Sequence, residues 1–184
     1  KVDSQMEELI QSPLLQKFSD QIEHGFGTKA FVPKEGELFT LKQTHSDSIY
    51  LWNPSLKVDG PEGDGIMTDQ TGVKLAVKTA DCIPLLFFDP QKNTVAAVHA
   101  GWRGVLQKIH LQAVQSMRSI WDCDPKDLRV AIGPCLRQDD FEVGQEVVDL
   151  FLNTWDFVDH KPLASGKSLL NTVSMVIKTL LDVG

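Results

Sequence analysis

The sequence has few of the residues that several specialised protein classes require. Only 3 of its 184 residues are cysteines, an odd number without close spacing, so no disulfide framework is expected and a reducing compartment is the simpler prediction. The longest apolar run, IPLLFF, is far shorter than the roughly 18 residues that a membrane-spanning helix needs. The opening residues also lack the basic and then apolar layout of a signal peptide. The sequence therefore predicts a cytoplasmic protein.

Basic charge is also in the minority. The chain carries 18 Lys and Arg against 25 Asp and Glu, a formal net charge of −7, which argues against a nucleic-acid groove or a polybasic membrane patch. Neither internal repeats nor low-complexity tracts occur. With 42% hydrophobic and 23% charged residues, the composition is that of a soluble folded chain. We expect one catalytic domain over residues 1–184 that binds a small ligand.

The middle of the chain has the clearest pattern of secondary structure. Three short apolar runs predict strands, namely GVKLAVK, PLLFFD and TVAAVHA. An apolar helix face follows over residues 103–121, and LRVAIGP is the next strand. This strand–helix–strand order is a βαβ unit, which makes its two strands parallel and brings the loops after Val98 and Ile132 to one edge of the sheet. Outside this region the patterns predict scaffold helices over residues 1–20, 139–153 and 168–184.

Four residues at turns beside these strands could carry chemistry: His45, Cys82, His99 and Cys135. Each could equally be structural, because free cysteine is among the most buried residue types. The βαβ unit places His99 and Cys135 at the same sheet edge, where α/β proteins bind ligands. Cys82 joins them if a strand over residues 73–78 runs parallel to the others.

A thiol and two imidazoles at one point suit two different chemistries. Three Cys and His ligands with an open fourth position are typical of catalytic zinc. A cysteine nucleophile with a histidine base would instead need a third group that orients the base, for which Asp81 or Asp64 would serve. The spacings match no compact metal motif, so the residue pattern leaves both readings open.

The segment HAGWRG indicates an anion site. Gly101 and Gly104 bracket Arg103 at the predicted helix start, and backbone amides with a guanidinium suit phosphate or carboxylate. Trp102 could stack on a flat ligand. The alternative is a structural role, in which Arg103 pairs with a surface aspartate. No Walker loop or GxGxxG fingerprint is present.

Two further residues receive structural predictions. His110 lies within the amphipathic helix and is expected to pack or to face solvent. Cys123, between two aspartates at the helix end, is expected to be exposed and without a role.

The blocks QTHS, DGIMTD, KTADCIPLLFFD, AAVHAGWRG and AIGPCL, in this order, resemble the bacterial polyphenol oxidase or laccase-like family, which is related to a human macrophage protein that acts on purine nucleosides. The resemblance runs from about His24 to Gly184. It implies an α+β fold, a sandwich in which helices flank a mixed sheet. It also implies one zinc ion held by His45, Cys82 and His99, which are then the catalytic residues.

The family is associated with phosphorolysis of adenosine, inosine and methylthioadenosine, with adenosine deamination, and through its older label with copper-dependent oxidation of phenols. Deamination needs an activated water, which a three-ligand zinc site can supply. Phosphorolysis needs a held phosphate, for which Arg103 is the candidate, with Asp81, Cys135 and Trp102 as further substrate-binding residues.

Five histidines in the chain are too few for the paired ligands of a multicopper laccase, although copper in a His–Cys–His site could oxidise phenols weakly. The leading prediction is a purine nucleoside phosphorylase with adenosine deaminase activity, a monomer or small homo-oligomer whose ligands are nucleoside and phosphate. A copper-dependent phenol oxidase and a non-enzymatic metal-binding scaffold are the alternatives.

Overall fold

Twelve short strands and five α-helices lie in the part of the chain that the structure describes. This computed structural model describes residues 9–34, 36–55 and 59–184. The strands are β1 (Leu9–Ile10), β2 (Phe26–Gly27), β3 (Thr40–Lys42), β4 (Ile49–Leu51), β5 (Asp59–Glu62), β6 (Gly65–Thr68), β7 (Ile83–Asp89), β8 (Thr94–Ala100), β9 (Arg129–Ile132), β10 (Glu142–Val143), β11 (His160–Pro162) and β12 (Ser168–Leu170). The helices are α1 (Pro13–Gln16), α2 (Trp102–Leu106), α3 (Ile109–Trp121), α4 (Gln145–Thr154) and α5 (Thr172–Val183).

A five-stranded mixed sheet in the order β4-β6-β8-β7-β9 lies at the centre. Strands β4 and β6 are parallel, whereas the pairs β6 and β8, β8 and β7, and β7 and β9 are antiparallel. Since β8 and β9 both run antiparallel to β7, they are parallel to each other with β7 between them. The predicted βαβ unit is therefore confirmed, as is the α+β fold with a mixed sheet.

The side chains of the central strands point alternately to the two faces of the sheet, and both faces are buried. On β7, Ile83, Leu85 and Phe87 belong to the main core, where they meet the helices. Phe88 points to the opposite face and packs with Leu15 of α1. Because both faces are covered, the strands read as continuous apolar runs in the sequence.

Helix α3 covers the middle of the sheet with one apolar face. Ile109, Ala113 and Met117 are fully buried against it, as their helical spacing predicts. Ile120 continues the same helical spacing but is 47% exposed, because it lies in the last turn, beyond the core.

The prediction of a single helix over residues 103–121 is wrong in one respect. The helix is divided into α2 and α3, because Lys108 takes a left-handed conformation with φ 61° between them. The indole Nε1 of Trp155 donates to the carbonyl oxygen of Leu106 at 3.1 Å and so satisfies a backbone acceptor at the break.

Three other predicted elements need correction. Residues 73–78 form one isolated bridge, between Leu75 and Phe39, rather than a strand, because the side-chain amide of Gln43 binds both backbone groups of Lys78. The predicted first helix lies partly outside the described residues, and Leu9–Ile10 of it is strand β1. The helices predicted over residues 139–153 and 168–184 begin only at Gln145 and Thr172, because short strands form at the start of each predicted range.

Within the described ranges, no helix combines the length and apolarity needed to cross a bilayer.

Candidate metal centre

All the predicted site residues meet at one edge of the central sheet. His45 and Asp64 lie just before β4 and β6, and Cys82 directly precedes β7. His99 is at the end of β8, and Cys135 follows β9. Because β7 is antiparallel to β8, its start lies beside the end of β8, where Pro84 pairs with His99. Cys82 thus reaches the edge through the antiparallel strand that follows it, not through the parallel strand that we predicted before it.

His45, Cys82 and His99 form a group that could hold a metal ion. Their ligand atoms all lie within 4.8 Å of one another. The two imidazole rings are 5.0 Å apart at their centroids and nearly perpendicular, at 78°. His99 is buried, Cys82 is half-buried and His45 is exposed, so the group is open to solvent on one side. Two imidazoles and a thiolate with an accessible side suit a three-ligand zinc or copper site.

Gly101 leaves the space that this group needs. A Cβ atom at this position would lie 2.7 Å from Cδ2 of His45 and 3.3 Å from Sγ of Cys82. Its backbone, at φ −67° and ψ 165°, suits any residue. Glycine is therefore required here for space between two of the ligands, rather than for conformational freedom.

Asp64 is a fully buried carboxylate behind the two histidines. Its Oδ1 lies 2.7 Å from Nδ1 of His99. Burial by itself raises the pKa of Asp64, but the hydrogen bonds from Ser46, His99 and Thr44 together hold that pKa below its usual range. The carboxylate is therefore ionised at neutral pH and accepts a hydrogen bond from the N–H at Nδ1 of His99, which leaves Nε2 of His99 for a metal.

The electrostatic environment of Cys82 differs from that of an activated nucleophile. Burial raises the pKa of the Cys82 thiol, and the negative charges of Asp81 and Asp64 raise it further. A reactive cysteine normally has a lowered pKa from neighbouring positive charge. A divalent cation among the three ligands would supply that charge, so the donor set fits a metal better than a cysteine nucleophile.

A cavity adjoins Cys82 on the helical side of the sheet edge. Asp81, Cys82 and Trp102 line it together with residues from distant parts of the chain, and the full lining is Asp81, Cys82, Ile83, Ala100, Trp102, Leu136, Phe141 and Thr172. Asp81 and Trp102, which we predicted to bind substrate, thus both line the cavity beside Cys82. Phe141 and Thr172 were assigned to scaffold segments, and no local sequence signal distinguishes them.

Arg103 is exposed and stacks on Trp102, one of the residues that line this cavity. Its guanidinium carbon is 4.5 Å from the ring centroid of Trp102. Within the part of the chain that the structure describes, Arg103 makes no ion pair, so the surface aspartate of our alternative reading is not its partner. Helix α2 has only five residues, too few for a strong macrodipole. The guanidinium, rather than the helix start, is therefore the group here that could hold an anion.

Cys135 is close to the group without belonging to it. It packs against the main core, and the next residue, Leu136, donates its N–H to the carbonyl oxygen of Asp81 at 2.9 Å. Burial raises the pKa of the Cys135 thiol. Cys123, which we expected to be exposed, is 2% exposed and lies 3.5 Å from the hydroxyl of Thr94.

A family model described as multi-copper polyphenol oxidoreductase laccase matches residues 26–184. The chain belongs to this family. The resemblance seen in the sequence blocks is therefore confirmed. In the described ranges only one group of three His, Cys, Asp or Glu ligands is close enough to hold a metal ion, whereas the multicopper name implies several.

Relatives of this family member carry purine nucleoside names. A purine nucleoside phosphorylase of Clostridium acetobutylicum is 37% identical over 111 residues, which are 60% of this chain and 46% of that protein. Adenosine deaminase RL5, from an unknown prokaryotic organism, is 36% identical over an alignment of 145 positions that covers 72% of this chain and 54% of that protein. The chain spans about half the length of these curated relatives.

The fold agrees with that of a solved family structure. The crystal structure of YlmD from Geobacillus stearothermophilus matches with a TM-score of 0.75 and 28% identity. The match covers 80% of this chain and 59% of that one.

Proposed function

We propose that this chain forms the metal-binding part of a purine nucleoside phosphorylase that also deaminates adenosine. The observation that carries the proposal is the single group of His45, Cys82 and His99, with ligand atoms within 4.8 Å of one another beside a cavity. The names of the relatives supply the substrate class. The three free cysteines suit a reducing compartment, which supports a cytoplasmic location.

We assign zinc to this group, with His45, Cys82 and His99 as its ligands. A zinc ion with three protein ligands and an open position acts as a Lewis acid and lowers the pKa of water toward neutrality. Asp64 contributes by holding His99 in the tautomer that a metal requires. These three residues form a site for one metal ion. If copper took the place of zinc, the same residues would therefore hold a single copper ion.

Phosphorolysis transfers the ribosyl group from the base to phosphate. The bond from C1′ to N9 breaks, a phosphate oxygen bonds to C1′, and the base leaves with a proton. Arg103 would hold the phosphate through its guanidinium, which is free of ion pairs among the described side chains. Trp102 offers a ring face for the base, and the Asp81 carboxylate can accept hydrogen bonds from ribose hydroxyls.

Deamination uses the same cavity with water in place of phosphate. Water adds at C6 of adenine and ammonia leaves, so adenosine gives inosine. For this reaction C6, rather than C1′, must face His45, Cys82 and His99. We assign Cys135 to neither reaction. It precedes Leu136, whose N–H donates to the carbonyl oxygen of Asp81, so we place Cys135 in the wall behind Asp81.

The deciding experiment incubates metal-quantified protein with adenosine, with and without phosphate. Chromatography follows adenine, ribose 1-phosphate and inosine. We expect adenine and ribose 1-phosphate in equal amounts and only when phosphate is present, with a smaller yield of inosine. Arg103→Ala should raise the KM for phosphate without lowering the yield of inosine, because only phosphorolysis uses the guanidinium.

Cysteine variants provide the matched control. Cys82→Ala should lose both zinc and nucleoside turnover, whereas Cys123→Ala removes a buried thiol that is not part of the group and should keep both. Turnover of phenols that requires added copper, without nucleoside turnover, would favour the oxidase. Failure to bind any nucleoside at millimolar concentration in zinc-loaded protein would favour the metal-binding scaffold.

A further inference from the structure

We propose that Asp64 is the positioning residue of the metal centre, and that this one carboxylate sets both the backbone of His45 and the tautomer of His99. The inference rests on the metal site of the proposed function. It assigns no contact between Asp64 and the metal. Its basis is the set of hydrogen bonds that Asp64 makes at two separate ligands.

The first part of the basis is the loop that carries His45. Three successive backbone N–H groups point at the carboxylate: those of Thr44 at 3.2 Å, His45 at 3.1 Å and Ser46 at 2.7 Å. The hydroxyl of Ser46 donates to it as well, at 2.7 Å. Successive amides that converge in this way form an anion-binding concavity. The carboxylate of Asp64 is the anion that occupies it.

This concavity requires an unusual backbone at the ligand itself. His45 has φ 59°, in the left-handed region that residues other than glycine rarely adopt. Such a conformation persists only where the surroundings hold it in place. The hydrogen bonds to Asp64 provide that hold, so the direction of the His45 side chain depends on the carboxylate.

The second part of the basis is the contact with His99. Nδ1 of His99 lies 2.7 Å from Oδ1 of Asp64, and the backbone N–H of His99 donates to the carbonyl oxygen of Asp64, also at 2.7 Å. A metal-bound imidazole commonly donates its other N–H to a carboxylate, which fixes the ring and its tautomer. Asp64 is therefore connected to both histidines of the group, but to Cys82 by none of the hydrogen bonds among the described residues.

The two oxygens of Asp64 are both fully used as acceptors. Asparagine has nearly the same shape but only one acceptor oxygen, so its NH₂ group must replace either Oδ2, which accepts from Thr44 and Ser46, or Oδ1, which accepts from the His45 N–H and faces Nδ1 of His99. In the first orientation the loop loses the acceptor for Thr44 and Ser46. In the second, Nδ1 of His99 becomes the acceptor and the proton moves to Nε2, where it blocks metal binding. Either result weakens the site.

The test compares Asp64→Asn with the unaltered full chain. Zinc affinity is measured by competition with a chromophoric chelator, and the tautomer of His99 by ¹⁵N NMR of the metal-free imidazoles. We expect the unaltered chain to show the Nδ1–H tautomer at His99. The variant should bind zinc about 10 to 100 times more weakly, with either the Nε2–H tautomer at His99 or a displaced His45 resonance.

Asp89→Asn is the matched control. Asp89 is also fully buried, and its Oδ1 accepts from the backbone N–H groups of Gln91 and Lys92 at 2.8 and 3.0 Å. It lies at the opposite end of β7 from Cys82. This variant should lose stability while its zinc affinity and its His99 and His45 resonances stay unchanged. Unchanged zinc affinity in Asp64→Asn would overturn the inference, as would equal losses in the two variants.

A second variant covers the case in which Asp64→Asn fails to fold. Ser46→Ala removes one donor to the carboxylate and leaves the rest of the loop, so zinc should bind about threefold more weakly. Equal affinity in Ser46→Ala and the unaltered chain would overturn the inference. If the unaltered chain itself bound no zinc, the proposed function would fail independently of the role of Asp64.

Discussion

Individual residues at the sheet edge show how little space surrounds the group of His45, Cys82 and His99. Gly101 separates His45 from Cys82, and Gly104 places its own backbone against Ser46, whose carbonyl oxygen would lie 3.2 Å from an added Cβ. The two glycines of HAGWRG thus let the turn after β8 approach the His45 loop closely. We predicted that these glycines bracket an anion site; in the structure a Cβ added at Gly101 would meet His45 and Cys82, and one added at Gly104 would meet the carbonyl oxygen of Ser46 and Cγ2 of Ile109.

A substitution at Gly101 tests this interpretation. Gly101→Ala should weaken zinc binding by about tenfold, because the added methyl group would displace the His45 ring from a position 2.7 Å away. Isothermal titration with zinc measures the change. Gly27→Ala is the control, since its Cβ would also meet an aromatic ring closely, at 2.9 Å from Phe31. If both variants bind zinc like the unaltered chain, space at Gly101 does not matter to the site.

Helix packing behind the site depends on one buried histidine. His110 of α3 is fully buried, stacks on Trp155 at 5.8 Å between ring centroids, and bonds through Nε2 to the hydroxyl of Thr179 in α5 at 2.8 Å. That hydroxyl donates to the carbonyl oxygen of Met175, so Nε2 of His110 is the donor to it. Of our two readings for His110, packing is confirmed.

The stability of this packing should depend on pH. Burial, aided by the positive charge of Lys108, lowers the pKa of His110 from 6.5 to about 4. The unfolded chain therefore binds a proton that the folded chain does not between these two values. Stability is fully present above pH 6.5 and decreases as the pH falls toward 4, with a slope of up to about 1.4 kcal/mol per pH unit from this residue.

Urea denaturation across this pH range measures the slope. His110→Phe keeps a ring beside Trp155 and removes the titrating group, so its slope should be smaller by that amount. The same pH dependence in both proteins would mean that His110 does not titrate differently in the folded and unfolded chains.

At the scale of the whole molecule, the group of His45, Cys82 and His99 brings together parts of the chain that are far apart in sequence. His45, Cys82 and His99 precede or end three different strands, so an ion held by all three would link most of the central sheet. A ligand that binds only the folded state stabilises it by mass action.

Zinc should therefore raise the thermal stability of the chain. At a zinc concentration 100 times Kd, the gain is about 2.7 kcal/mol, or roughly 5 to 10 °C in Tm for a chain of this size. Differential scanning calorimetry with zinc and then with a chelator measures it. Cys82→Ala should show no such shift, whereas an equal shift in this variant would place the stabilising metal elsewhere.

Much of the architecture followed from local patterns in the sequence. The strands β7, β8 and β9 were predictable because each is a short apolar run ended by turn residues, and α3 because its apolar residues recur at helical spacing. The parallel relation of β8 and β9 followed from their connection through a helix. His45, Cys82, His99 and the family itself were recognisable from short sequence blocks.

The sequence by itself thus determined strands β7, β8 and β9, the family and the three candidate ligands, since these depend on neighbouring residues and on chemically distinctive side chains. Only the tertiary structure decided that β7 lies between β8 and β9, which brings Cys82 to His99, and that Phe141 and Thr172 line the cavity. It also decided that the carboxylate of Asp64 makes hydrogen bonds with both histidines. Contacts between residues distant in the chain depend on packing and on strand order, which local periodicity does not contain.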